Sequence, residues 1–173
     1  MNSVDFTERT SESCDTLTLL HGPEAFVKHL QNALQNTRRE IDILTNDLDR
    51  QLFSHQAVCE QLSQVARGHR QSKIRVLIKQ PLSAIQSRHR FVALQQRLTS
   101  KIEFKALKYE PENNARAYMV FDQRQLLLQH HDGDYDGFCN TDAPHEARSL
   151  LEEFNWLWSR QSHAIAELTS FSL

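Results

Sequence analysis

Several short clusters carry residue types that could do chemistry. Arg88-His89-Arg90 places an imidazole between two guanidinium groups. An imidazole can attack phosphorus or carry a proton, and guanidinium groups bind phosphoryl oxygens in pairs. His89 also has a plainer reading. It lies four residues after Ile85 and three before Val92, so it shares their apolar face as a buried, hydrogen-bonded histidine would. Lys79 closes the apolar run Ile74-Arg-Val-Leu-Ile78, where it is either a contact for an anion or a simple strand-end charge. Asp47 and Asp49 follow a second apolar run. They form either a helix-start turn or carboxylate partners for Arg88 and Arg90.

Two further clusters raise metal chemistry. Asp132-x-Asp134-x-Asp136-Gly137 has the alternating carboxylates and the glycine of the first half of a calcium loop. Its twelfth position is Ala143, where a bidentate Glu belongs, so the alternatives are a looser calcium loop and a solvated acidic turn. His130 and His131 point to opposite faces if their strand persists, so one metal cannot take both. Cys139 and His145 complete no known ligand spacing with them. No cofactor is expected.

The elements that must position these groups follow from hydrophobic periodicity. Leu17–Leu20 precedes Gly22-Pro23, a helix-start signal, and a helix is expected to about Arg38. Ile41–Leu44 reads as a strand. Ser54 caps a second helix, which stops at Gly68. Ile74–Ile78 is a strand, residues 82–98 a third helix, and Ile102–Leu107 a strand. After a polar loop at 110–114, strands are expected at Tyr118–Phe121 and Gln125–Leu128, with a loop at 132–137. The last helix opens near Asp142, with Ala147, Leu150, Phe154, Leu157 and Trp158 on its apolar stripe. Strands alternating with helices imply an α/β fold: a mixed, mostly parallel sheet with helices on both faces.

The chain has 173 residues, 39% hydrophobic and 24% charged, which excludes wholesale disorder. Mean hydropathy is -0.58, and no apolar run is long enough to span a bilayer. No secretory signal is visible, so the expectation is a cytoplasmic protein. Three widely spaced cysteines argue against a disulfide framework. The net charge of -2 hides segregation: residues 67–108 hold 11 Lys/Arg against Glu103 alone. That block either meets an anionic partner or folds against the acidic thirds of the chain. A pI near 6.5 argues against a dedicated DNA-binding domain.

From about Arg39 to Trp158 the chain resembles one half of a phospholipase-D-like domain. The resemblance rests on the element order and on the closing Ala147-x-x-Leu150-Leu-x-x-Phe154-x-x-x-Trp158. More narrowly it is similar to a bacterial branch often found beside a GNAT-type acetyltransferase domain. That likeness is carried by Thr45-Asn-Asp-Leu-Asp49, Arg75-Val-Leu-Ile-Lys79, Arg88-His89-Arg90 and Arg97-Leu98. The superfamily pattern is His-x-Lys-x4-Asp followed by Gly-Ser-x-Asn. Anchored on Asp122, its His falls on Ala115 and its Lys on Ala117, and the second motif falls on Gln129-His130-His131-Asp132. Alanine has neither a lone pair for attack nor a charge for an oxyanion. His130, where the Ser belongs, is the one replacement that retains chemistry.

The resemblance therefore implies a catalytically degenerate module that binds an anionic ligand or docks a partner enzyme. The expected contacts are Lys79, Arg88, His89, Arg90 and His130, with Asp47, Asp49 and Asp122 supporting. Two alternatives stay open. One is a phosphodiester hydrolase or transferase using His89 or His130; the other is a calcium-stabilised interaction domain using Asp132, Asp134 and Asp136. Superfamily halves pack about a twofold, which implies a homodimer or a second half; the narrower likeness implies an acetyltransferase partner. Nucleic acid is the less expected partner. The expected organisation is a flexible leader at 1–15, a strand–helix extension at 16–38 and the phospholipase-D-like domain at 39–173.

Overall fold

The apolar runs pair into one eight-stranded sheet. The structure, a computed structural model, describes residues 16–109 and 115–169, so the leader, Cys14 and the 110–114 loop lie outside the described residues. The strands are β1 (Leu17–His21), β2 (Glu40–Thr45), β3 (Lys73–Ile78), β4 (Ile102–Leu107), β5 (Ala117–Phe121), β6 (Gln125–Gln129), β7 (Asp136–Asn140) and β8 (Ser162–Ala164). The helices are α1 (Pro23–Asn36), α2 (Arg50–Phe53), α3 (Gln56–Gly68), α4 (Leu82–Gln86), α5 (Arg90–Arg97), α6 (Pro144–Arg160) and α7 (Ala166–Thr169). The order across the sheet is β1-β7-β6-β5-β2-β3-β4-β8.

The sheet is mixed and carries helices on both faces. Parallel pairing, expected to dominate, is confined to β2–β3 and β3–β4. The other five pairings are antiparallel. Among strands that are neighbours in the sheet, only β2–β3 and β3–β4 are consecutive strands joined through helices; β5, β6 and β7 are joined by turns too short to allow parallel strands.

Alternation along each strand builds two cores. In β2, Ile43 joins Phe26, Leu30, Val58, Leu62 and Phe91 beneath α1, α3 and α5. Its neighbour Leu44 turns to the other face and packs with Leu77, Tyr118 and Phe154 under α6. β1 pairs with β7, and α1 sends Phe26, Leu30 and Leu34 into the first core. Residues 16–38 are therefore built into the same sheet and core.

Several local expectations are corrected. The helix at 82–98 is two helices, because Arg88 takes a left-handed backbone (φ 52°) and His89 caps α5 by accepting the Phe91 N–H. Ser54 ends α2 instead of starting α3, and His55 precedes α3. The 132–137 loop runs into β7, and β8 and α7 were not foreseen. Gly137 is required by a close approach: a Cβ there would sit 1.9 Å from the Leu128 carbonyl oxygen. No helix among the described residues is long and apolar enough to cross a membrane.

Candidate functional site

Parallel strands present ligands at their carboxyl ends, especially where neighbouring connections diverge. Here that end is built by the residues after β2 and β3, the start of β5 and the turn after β6. Thr45 ends β2 and Asn46 follows it, Lys79 follows β3, Ala115 precedes β5 and Ala117 opens it, and Gln129 ends β6 with His130 to Asp132 after it. The structure thus brings together Lys79, Asp49, Asp132 and the two alanines.

Each member is tied down by the others. Asp132 accepts the Asn46 N–H at 2.5 Å, and its own N–H donates to the Ala115 carbonyl at 2.6 Å. Burial raises the Asp132 pKa above the usual carboxylate value, partly offset by the Asn46 N–H and the Lys79 charge. Lys79 donates to the Arg116 carbonyl at 2.9 Å. Asp49 accepts from the Tyr135 hydroxyl at 2.7 Å and caps α2 through the Gln51 N–H. Burial, then the Asp49 carboxylate, pushes the Tyr135 hydroxyl well up, so it stays a donor. Gln129, paired across β5–β6 with Ala117, accepts the Gly133 N–H.

The space left at this crevice is small. A cavity of about 10 Å³, lined among others by Ala117, Gln129, Asp132, Thr45 and Asp49, has room for about one water. Ligand pockets are on the order of several hundred Å³. The local charge is also unfavourable to an anion: the Asp47 and Asp49 carboxylates, with the single cation Lys79, act on Asp132.

His89 is 2% exposed and spent on structure. Its Nε2 donates to the Leu48 carbonyl at 2.8 Å, and its Nδ1 accepts the Phe91 N–H at 3.1 Å. A carbonyl can only accept, so the ring is the neutral Nε2–H tautomer with its lone pair engaged. Burial lowers its pKa accordingly. No lone pair remains for attack, which corrects the expectation of a nucleophile or an anion contact. His89 instead holds Leu48, a buried residue in a left-handed conformation (φ 60°), and so fixes the turn that carries Asp47 and Asp49.

The remaining expected contacts do not converge. Arg88 and Arg90 are exposed at the α4–α5 junction, and Arg90 faces a groove beside α3. His130 is exposed with its ring 5.9 Å from Phe138, a residue packed on the α6 side. Gln129 lines the crevice on the opposite face, as neighbouring strand residues must. Asp122 lies at the far end of β5. Its carboxylate accepts the N–H groups of Arg38, Arg39 and Glu40 at 2.7–2.9 Å, so it ties the β5–β6 hairpin to the start of β2.

The calcium reading also meets a geometric obstacle. Asp132 turns inward to Asn46, Asp136 pairs outward with His21 at 2.7 Å, and Asp134 is exposed. Among the described residues no group of three or more His, Cys, Asp or Glu is placed to hold a metal ion. Cys59 and Cys139 are free thiols.

Tyr135, Asn46, Gln129 and Arg116 were missed in the sequence. Tyr135 sat inside the acidic loop and could have been flagged as its one aromatic residue. The Asn46 and Arg116 contributions are backbone groups, which no side-chain pattern reports.

Solved structures share this architecture. TrmBL2, an archaeal chromatin protein whose structure is described as showing a novel mode of DNA binding, aligns with a TM-score of 0.64 at 12% identity, covering 91% of this chain and 57% of that one. NucT from Helicobacter pylori aligns at 0.61 and 12% identity, covering 86% of this chain and 97% of that one. Phosphatidylserine synthase from Haemophilus influenzae Rd KW20 aligns at 0.58 and 8%, covering 91% of this chain and 40% of that one. This chain therefore spans little more than half of the first and less than half of the third. At these identities the likeness is one of fold, and it supports a phospholipase-D-like α/β architecture. No curated protein matches the chain. A family profile covers residues 22–171, and on that match the chain belongs to the family described as Domain of unknown function (DUF7931).

Proposed function

We propose that this chain is a catalytically degenerate phospholipase-D-like module that acts by binding an anionic partner. The observation that carries the reading is Ala117 lining a crevice with room for about one water, with Ala115 next to it through the carbonyl that accepts the Asp132 N–H. Two methyl groups stand where the resemblance puts a nucleophile and its cationic helper. Asp132, Lys79 and Asp49 are engaged with their neighbours, and the Gln129 Nε2, which lines the crevice without a hydrogen-bond partner, is an amide donor that can neither attack phosphorus nor act as a base.

The basic segment supports the binding half of the reading. Of its eleven cations, Arg75 pairs with Asp42 and Lys79 lies beside Asp132. Among the described residues the other nine form no ion pair with a carboxylate. The charge therefore remains available to an outside anion.

A histidine-based hydrolase is the less favoured reading, because His89 is internally spent and His130 stands away from the crevice. Assay of the full chain with bis(p-nitrophenyl) phosphate separates the two. The expected result is no turnover above buffer; turnover that disappears in His130→Ala overturns the degenerate reading. The proposal includes a second half about a twofold, supplied by another copy or by a partner that carries a phospholipase-D-like half, and, separately, an acetyltransferase as a docked partner. Light scattering is expected to give twice the 20.1 kDa of one chain. A single-chain mass at micromolar concentration contradicts the homodimer.

A further inference from the structure

We infer that the outer face of α3, with the grooves on either side of it, is a docking surface for the backbone of double-stranded nucleic acid. The inference rests on the reading above that the chain binds an anion, and it names the surface and the class of anion.

Two grooves flank α3 and share Gln64 on the ridge between them. One, of about 480 Å³, is walled by Arg38, Arg39 and His69. The other, of about 660 Å³, lies between α3 and α5 and is walled by Arg90 and Arg97. Arg67 continues the helical row of Glu60 and Ser63 on that second wall, and Arg70 follows α3. All six arginines are exposed, and among the described residues none forms an ion pair with a carboxylate. Among the described residues Glu60 is the one acidic residue lining either groove.

The chemistry of this face selects among polyanions. Guanidinium groups match phosphate oxygens in pairs and are weakly hydrated. The neutral polar lining is amide and hydroxyl, including Gln56, Gln61, Gln64 and Ser63, groups that hydrogen-bond phosphate and sugar, and the apolar lining is small or aliphatic, such as Ala93 and Val65. Among the described residues the exposed large apolar ones are Leu17, Leu19, Leu82, Tyr109 and Trp156, and none lines these grooves. A membrane-inserting face needs an apolar wedge, and a single-strand site needs an aromatic platform. Among the described residues neither is present on this face. A duplex backbone, read by charge and shape, needs neither.

The near-neutral pI does not oppose this. The acids gather elsewhere, on the Asp132–Asp136 turn and along α6 at Glu146, Glu152 and Glu153. A duplex meets the local field, not the sum of charges.

Fluorescence anisotropy of the full chain with a labelled random-sequence 24-base-pair DNA tests the assignment. With about six phosphate contacts, affinity should fall on the order of 10³-fold between 50 and 200 mM KCl. Arg38→Gln with Arg39→Gln, and separately Arg90→Gln with Arg97→Gln, should each weaken binding at least tenfold and lower the salt slope by about 2. Arg148→Gln with Arg160→Gln, on α6, should change nothing. The assignment is overturned by no binding at 50 mM KCl, or by α6 variants that weaken binding as much as the α3-face variants. Tighter binding to single strands overturns it too, as does binding to phosphatidylserine vesicles but not to DNA. Cutting of the bound duplex would instead defeat the degenerate reading and leave the docking surface standing.

Discussion

Asp132 is the residue on which the crevice turns. It holds Asn46 and Ala115 in place, and it does so as a largely buried carboxyl with a raised pKa. Below the ordinary value of 3.8 both the folded and the unfolded chain are protonated there, and burial costs little. As pH rises through the higher folded value, the folded chain must bury a charge and loses stability. Asp132→Asn keeps an oxygen for the Asn46 N–H and never ionises. Its melting temperature is expected to exceed the parent's at pH 7.5, with the gap closing below pH 4. A gap that does not vary with pH would show that burial of this charge is not the cause. His89 and Asp49 act at the same scale as positioning residues: the imidazole holds the Leu48 carbonyl, and the turn holds Asp49 against Tyr135. The type and spacing of Lys79, Asp47, Asp49 and Asp132 were legible in the sequence. That His89 was inward-facing was legible only as one of two readings, because its spacing from Ile85 and Val92 fits a buried residue and a cleft residue alike.

At the scale of elements, the β5–β6 hairpin and the α1–β2 link are one mechanical unit. Asp122 and Gln123 both adopt left-handed conformations (φ 49° and 60°), as tight hairpin turns require. That geometry aims the Asp122 carboxylate at three backbone N–H groups. Asp122→Ala leaves those donors without their acceptor and is expected to cost about 1.5–3 kcal/mol. For a chain of this length that is a fall of roughly 3–10 °C in thermal melts. An unchanged melting temperature would mean that water replaces the carboxylate without loss. The apolar runs of β2, β3 and β4 were readable because both faces of those strands are buried. β7 was not, since Asp136-Gly-Phe-Cys-Asn140 has few apolar residues and is made a strand by its neighbours β1 and β6. The break between α4 and α5 was hidden because the side-chain periodicity runs through it; the backbone reversal at Arg88 is what separates them.

At the scale of the whole molecule, charge and chemistry are separated. The strand ends that would hold a substrate are closed and acidic, while exposed arginines gather around α3. The fold class was visible from the alternation of strand and helix, and so was the charge segregation. Which side of the molecule the basic segment would occupy was not, because that depends on the crossovers that place α3 and α5 on one face of the sheet. The most direct test of the account is whether any side chain can take up a phosphoryl group. The full chain would be incubated with bis(p-nitrophenyl) phosphate, quenched in alkali to preserve phosphohistidine, and weighed intact by mass spectrometry. The account predicts an unchanged mass. An adduct that maps to a histidine would contradict it.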